Sequence, residues 1–365
     1  MLNAQLFAAA LTLLLGACVP ADAPSAEARA STSAPVAPAA PKSVGLDSAR
    51  LAAAYTRAEE LPRLRTLLIA RHGTLQAERR FRGPGFDAPA NIKSVSKSIL
   101  SALVGIAMAE GHLTGVDQPI APFFPQHLGS GADPRKQRIT VGNLLSMQSG
   151  LESTSFGNYG AWVSSPNWVR YAITRPLVDN PGGRMLYSTG STHLLSAILT
   201  RATGQSTLAY ARAKLAEPLG IRMRSWPTDP QGIYFGGNEM RLTPHEMLRF
   251  GELYRNGGVY QGKQIIPADW IRESWQPRTV SPWNGHRYGY GWWMRDTGPR
   301  RVYFAWGYGG QFIFVVPDLE LTVVTTSDPD APTRDGGHLR AVHALLDEFI
   351  IPAAEHGTRG VSSSS

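Results

Sequence analysis

The chain has 365 residues, 43% hydrophobic and 18% charged, with 36 Lys+Arg against 28 Asp+Glu and a formal net charge of +8. That length allows one large domain or two modest ones around a sizeable core, and the composition excludes a disordered chain. The basic residues are scattered singly, as in "RHGTLQAERRFRG" and "RDTGPRR", without the run that tracks nucleic acid; they suit an acidic surface such as anionic lipid or cell wall.

In chain order, residues 1–18, "MLNAQLFAAALTLLLGAC", form an apolar stretch of signal-peptide length. It closes on Cys18, the single cysteine, which leaves none for disulfides. "LGAC" resembles a bacterial lipobox, whose cysteine becomes the lipidated first residue of the mature protein. The n-region "MLNAQ" departs from that pattern in having no Lys or Arg, and an ordinary secretory peptide is the alternative. A lipidated Cys18 implies a membrane-anchored protein of the bacterial cell envelope, facing the periplasm or cell surface. No other segment is long and apolar enough to span a bilayer. Residues 19–43, rich in Ala, Pro and Ser, read as a tether, residues 44–355 as the folded domain and 356–365 as a flexible tail.

Within the domain, "VGLDSARLAAAYTRAEEL" predicts a helix, and "RTLLIARHGTLQAERRFRG" two strands turning at His72-Gly73. A long helix starts near Ser94, and "TVGNLLSMQSGL" is helix then turn. "STHLLSAILTRATG" and "TLAYARAKLAEPLG" predict amphipathic helices ending at glycines; "TPHEMLRFGELYRNGG" predicts another with Pro244 in its first turn. After about residue 255 the pattern becomes strand, Gly-rich turn, strand, turn, strand in "RVYFAWGYGGQFIFVVPDLELTVVTTSD". A turn at Asp335-Gly336-Gly337-His338 and a helix, "GGHLRAVHALLDEFII", close the chain. Strands at both ends and helices between predict an α+β fold: one sheet from N- and C-terminal segments, flanked by helices, with a mostly helical subdomain inserted.

"NIKSVSKSIL" crowds Ser94, Ser96, Lys97 and Ser98 ahead of an apolar run. A serine hydroxyl needs a base to take its proton. Residues three apart share a helix face, so Ser94 and Lys97 point together, whereas Ser96 and Ser98 lack a lysine three residues on. Burial and the positive end of a helix both favour neutral lysine. By itself this pattern is equally a set of helix caps beside a surface lysine. Tyr187, in "GGRMLYSTGSTHLLSAIL", precedes a second apolar helix; a tyrosine near a lysine can act as phenolate or relay a proton, or be an ordinary half-buried ring. In "WGYGGQFIFVVP", Gly307, Gly309 and Gly310 allow close backbone approach at a strand start, as a bulge or tight turn also would.

Together, in this order and at these separations, the three motifs resemble the serine β-lactamase and penicillin-binding-protein superfamily. The likeness is to its class C-like branch, which includes carboxylesterases and 6-aminohexanoate-dimer hydrolases. It runs from about residue 62 to 350, with "LLSMQSGL", "YGYGWWM" and "LRFGELYRNGGVYQGKQIIPADWI" in support. It implies a β-lactamase/transpeptidase-like fold and a cofactor-free serine hydrolase working through an acyl-enzyme on a small-molecule or peptide-like substrate. Ser94 matches the nucleophile, Lys97 its general base and Tyr187 the tyrosine of the Tyr-x-Asn motif, whose asparagine is lost in Tyr187-Ser188-Thr189. Gly307-Tyr308-Gly309 replaces the Lys-Thr-Gly box, so the amides of Ser94 and Tyr308 would hold the oxyanion. Tyr159 and Asn238 would line the acyl pocket, with Gly307, Gly309 and Gly310 beside the substrate.

The missing box lysine removes a partner for a substrate carboxylate, a loss of roughly 1.5–3 kcal/mol. Ester or amide hydrolysis is therefore expected over β-lactamase or D-Ala-D-Ala peptidase activity, unless Arg184 or Arg301 supplies the charge. A non-catalytic cell-wall or peptide-binding protein is the rival. "YGAWVSSPNWV" and "YGYGWWMR" suggest an aromatic-lined cleft, or core. No Gly-x-Ser-x-Gly elbow exists, "HEML" lacks a second histidine, and the nine histidines are dispersed, so no metal site is expected.

Overall fold

The computed structural model describes residues 45–129, 131–330 and 337–357. The predicted signal segment with Cys18, the tether, and the tail from residue 358 lie outside these residues, as do Asp335 and Gly336. No helix among the described residues is long and apolar enough to cross a membrane.

Helix α1 (Ser48–Glu59) starts where the Asp47 side chain accepts from the Arg50 amide at 2.8 Å. Strands β1 (Leu64–Arg71) and β2 (Thr74–Arg80) meet at His72 and Gly73, whose φ values of 51° and 78° make the left-handed pair that tight hairpins need. The chain then leaves the sheet for about 200 residues and returns as β3 (Thr279–Val280), β4 (Arg287–Tyr288), β5 (Trp293–Thr297), β6 (Arg300–Gly307), β7 (Gln311–Val316) and β8 (Leu321–Ser327). The sheet has eight strands in the order β2-β1-β8-β7-β6-β5-β4-β3, with antiparallel neighbours. The N-terminal hairpin thus pairs directly with the C-terminal strand, Leu68 opposite Val324. Three short strands, β3 to β5, extend the predicted sheet.

Every residue of β7 and β8 is buried, because both faces of the sheet are covered. Phe312, Phe314 and Val316 pack with Leu51 and Ala54 of α1, and with Val342 and Leu345 of α5 (Gly337–Leu345). The alternate residues Ile313 and Val315 face a second core on the opposite side. The closing helix continues through a wide turn, Leu346–Ile350, into Ile351–Gly357, two residues past the predicted domain end. Gly337 and His338 begin α5, so they are helix and not turn.

The insert carries the helices α2 (Ser96–Ala109), α3 (Thr189–Thr203) and α4 (Pro244–Arg255). Gly204 ends α3 with φ 68°. The predicted helix at 207–220 is α-helical over Thr207–Ala211 and continues in wider, π-helical form over Arg212–Ala216, four residues short of Gly220. Helix α3 is not amphipathic in the expected sense: Thr189 to Leu199 are all buried. Its polar side faces protein instead of water. Thr192 bonds the Gly236 carbonyl at 3.0 Å, Ser196 the Tyr234 carbonyl at 2.7 Å, and His193 Nε2 lies 3.0 Å from Asp229 Oδ2.

Candidate active site

The segment ahead of α2 sets the site. Asn91 Oδ1 accepts the Lys93 amide at 3.0 Å, Lys93 takes the left-handed φ of 50°, and residues 93–95 form a single 3₁₀ turn. The four polar side chains of this stretch then separate in role. Ser96 bonds the Lys93 carbonyl at 2.6 Å, and Ser98 bonds the Gly291 carbonyl at 2.6 Å. Ser94 is left facing Lys97, whose Nζ lies 3.0 Å from Ser94 Oγ.

Lys97 is 2% exposed. Its Nζ also reaches Thr189 Oγ1 at 3.2 Å and the Gly237 carbonyl at 2.8 Å. Burial pulls its pKa down from 10.5 to about 7. The arrangement can therefore pass a proton from Ser94 to a lysine that is neutral in an appreciable fraction near neutral pH.

Tyr187 stands on the other side of Ser94. Burial pushes its pKa up to about 12, and the nearby Ser94 hydroxyl opposes that rise. Its ring stacks on Trp293 at 5.8 Å and lies 5.2 Å from Lys97 Nζ. The residue in the lost asparagine's place is not idle: Thr189 contacts Lys97, and its hydroxyl lies 2.9 Å from Ser155 Oγ. Sequence reasoning missed Thr189, Ser155 and Gly237. Only the third-position polarity of Tyr187-Ser188-Thr189 hinted at Thr189.

Ser94, Tyr187 and Thr189 line a cavity of about 770 Å³ with Tyr159, Asn238 and Tyr308. Asn238 Nδ2 donates to Tyr159 Oη at 3.1 Å, so the two expected pocket residues meet. Tyr308 and Ser94 share this wall. Gly307, Gly309 and Gly310 are not among its lining residues, contrary to expectation. They shape the β6–β7 turn: a Cβ on Gly307 would fall 2.2 Å from the Ile92 carbonyl, and one on Gly310, at φ 104°, 2.8 Å from Ser327 Oγ. Arg184 and Arg301 do not supply the missing charge either. Arg184 pairs with Asp179 at 3.5 Å, and Arg301 on β6 with Asp296. The aromatic segments divide: Tyr159 and Trp293 reach the cavity, while Trp162, Trp168 and Trp292 are core. Among the described residues no three His, Cys, Asp or Glu gather as metal ligands.

A two-sided antiparallel sheet with a helical insert, and a serine beside a buried lysine where the two meet, define the class as a serine hydrolase of the β-lactamase fold. The chain belongs to the Beta-lactamase family, which it matches over residues 65–348. It is 25% identical over 297 residues to the 6-aminohexanoate-dimer hydrolase of Paenarthrobacter ureafaciens, covering 73% of each chain. It is 28% identical over 199 residues to esterase EstB of Burkholderia gladioli, covering 48% of this chain and 50% of that one. Among solved structures, a penicillin-binding protein homologue from Pyrococcus abyssi superposes with TM-score 0.66 at 17% identity, over 84% of this chain and 78% of the other. A D-stereospecific amidohydrolase from Streptomyces sp. superposes with TM-score 0.63 at 17% identity, over 81% and 98%.

Proposed function

We propose that this chain cleaves ester or amide bonds through a covalent acyl-enzyme on Ser94. Ser94 Oγ attacks the carbonyl carbon as Lys97 takes its proton, and the amides of Ser94 and Tyr308 hold the oxyanion. The carbonyl reforms, the bond to the alcohol or amine breaks, and the proton held by Lys97 goes to the leaving group, directly or relayed through Tyr187. Water then attacks the acyl carbon as Lys97 takes its proton, the bond to Ser94 Oγ breaks as Lys97 returns that proton to it, and the carboxylic acid departs. The observation that carries this reading is the buried Lys97 Nζ, with its pKa near 7, 3.0 Å from Ser94 Oγ. With its pKa near 12, Tyr187 stays protonated at neutral pH and serves as a donor or relay and not as a phenolate.

Similarity to a 6-aminohexanoate-dimer hydrolase and an esterase supports amides or esters as the substrate class. The test is intact mass after a fluorophosphonate probe, on the chain and its Ser94→Ala variant. One adduct, absent in the variant, is expected. No adduct on a folded parent would favour a non-catalytic binding protein on the same fold.

The chain is proposed to sit in the bacterial cell envelope, held by a lipidated Cys18; the support is "LGAC" after an apolar segment. The protein should partition with membranes and Cys18→Ser should change that; unchanged partitioning would end the idea.

A further inference from the structure

Two large apolar rings meet at the cavity from different parts of the fold. Phe156 comes from the helical insert, and Trp283 from the β3–β4 hairpin of the sheet. Their centroids are 5.4 Å apart at 57°, yet they remain 55% and 59% exposed. Tyr308, also on the wall, is 56% exposed. Large side chains left in water while touching each other forgo burial that a core position would provide, and such clusters mark binding surfaces. Trp293 and Trp306 continue the aromatic wall beside Ser94.

The charge on this wall is balanced. Among the described residues its charged side chains are Lys93 and Glu239, whose Nζ and Oε1 lie 3.1 Å apart. Asn91 Nδ2 holds the other Glu239 oxygen at 2.6 Å. A substrate carboxylate approaching Lys93 would find its charge already paired and would meet Glu239 as a like charge. The other polar side chains on the wall are hydroxyls and amides, and of these Asn238 donates to Tyr159.

We propose that the cavity selects uncharged esters or amides carrying an aromatic or similarly flat apolar group, which packs under the Phe156–Trp283 pair. This rests on the hydrolase reading above. Flat rings gain from offset or edge contacts with the wall's indoles and phenyl, and no charge has to be desolvated.

The experiment compares kcat/KM by pH-stat for methyl propionate, benzyl propionate, methyl 3-phenylpropionate and monomethyl succinate. The faster of the two aryl esters should exceed methyl propionate by about tenfold or more, and the succinate should fall below it. Phe156→Ala and Trp283→Ala should each shrink the aryl advantage to less than about threefold. Both rings are more than half exposed, so truncation leaves the core intact. An aryl advantage that is absent, or that survives both variants, overturns the proposal, as does a preferred succinate. Fluorophosphonate labelling of the same samples separates the two readings: a Ser94 adduct without aryl preference sinks the selectivity alone. Neither adduct nor turnover sinks both.

Discussion

Lys97 Nζ donates to the carbonyl of Gly237, 140 residues away in the chain, at 2.8 Å. Gly237 can come so close because it has no side chain. Its φ is +80°, and a Cβ there would lie 2.7 Å from Lys97 Cγ and 2.5 Å from Thr192 Oγ1. The preceding residue is held by α3: the Gly236 amide donates to His193 Nδ1 at 3.3 Å, and Thr192 bonds its carbonyl. The lysine's environment is thus set by a loop that α3 fixes in place.

Gly237→Ala should separate Lys97 from that carbonyl. The left-handed backbone costs about 1–2 kcal/mol for a residue with a Cβ, and overpacking about 1–3 kcal/mol more. The expected result is a fluorophosphonate labelling rate at least about tenfold lower, with a reduced Tm. Labelling at the parental rate would show that the loop does not govern Lys97.

The pH dependence follows from Lys97. As proton acceptor it must be neutral, so kcat/KM should rise with pH through about 7 and then level. Stability runs the same way. The folded pKa, about 7, lies below the ordinary 10.5, so between these values the unfolded chain binds more protons and stability grows with pH. Below about 7 the folded state holds the full burden of a buried ammonium. Lys97→Met should therefore abolish labelling and raise Tm more at pH 6 than at pH 9, a contrast that thermal melts at the two pH values measure. A flat activity profile would remove Lys97 from the base role.

Thr189→Val keeps the shape but deletes the hydroxyl that accepts from Lys97. A hydrogen bond to a charged donor is worth about 1.5–3 kcal/mol, so kcat should fall roughly ten- to a hundredfold while KM moves little. Thr189→Ser should restore most of it. Steady-state kinetics showing equal loss in all variants would point to packing and not to the hydroxyl.

His193 and Asp229 are a wholly buried pair. Asp229 Oδ1 also accepts the amides of Gln231 and Ile233, both at 2.9 Å. His193→Phe strands the carboxylate and should lower stability by about 3–5 kcal/mol in urea titration. Adding Asp229→Asn should recover part of that loss; a destabilisation of less than about 1 kcal/mol would show that the pair contributes little.

The Lys93–Glu239 pairing leads to a ranking of substrates. A chromogenic cephalosporin, which carries a carboxylate, should turn over far more slowly than a short-chain p-nitrophenyl ester. The reverse order would make β-lactamase the better description.

Much of the fold was legible because its signals are local. The hairpin at His72-Gly73 and the strands 300–307, 311–316 and 321–327 follow from turn residues and continuous apolar runs. The strands β3 to β5 escaped notice because two of them have only two residues each, too short for any period to show. Helix α3 misled for a different reason. Thr192, His193 and Ser196 make a polar stripe, and a stripe that bonds buried backbone has the same spacing as one that faces water. Arg184 and Arg301 were plausible from sequence, but their charges are taken up by Asp179 and Asp296.

By itself the sequence determined what depends on neighbours along the chain. The three-residue spacing puts Ser94 and Lys97 on one face, glycines close the tight turns, and alternating or continuous apolar runs make the sheet and its two cores. Tertiary structure alone decided what lies far apart in the chain: that Lys97 is buried, that Thr189 and Gly237 bind it, and that Phe156 meets Trp283 at the cavity. The reason is physical. A helix or turn forms from contacts within a few residues, whereas a lysine's proton affinity depends on every group that excludes water from it, and those groups are gathered only when the chain packs.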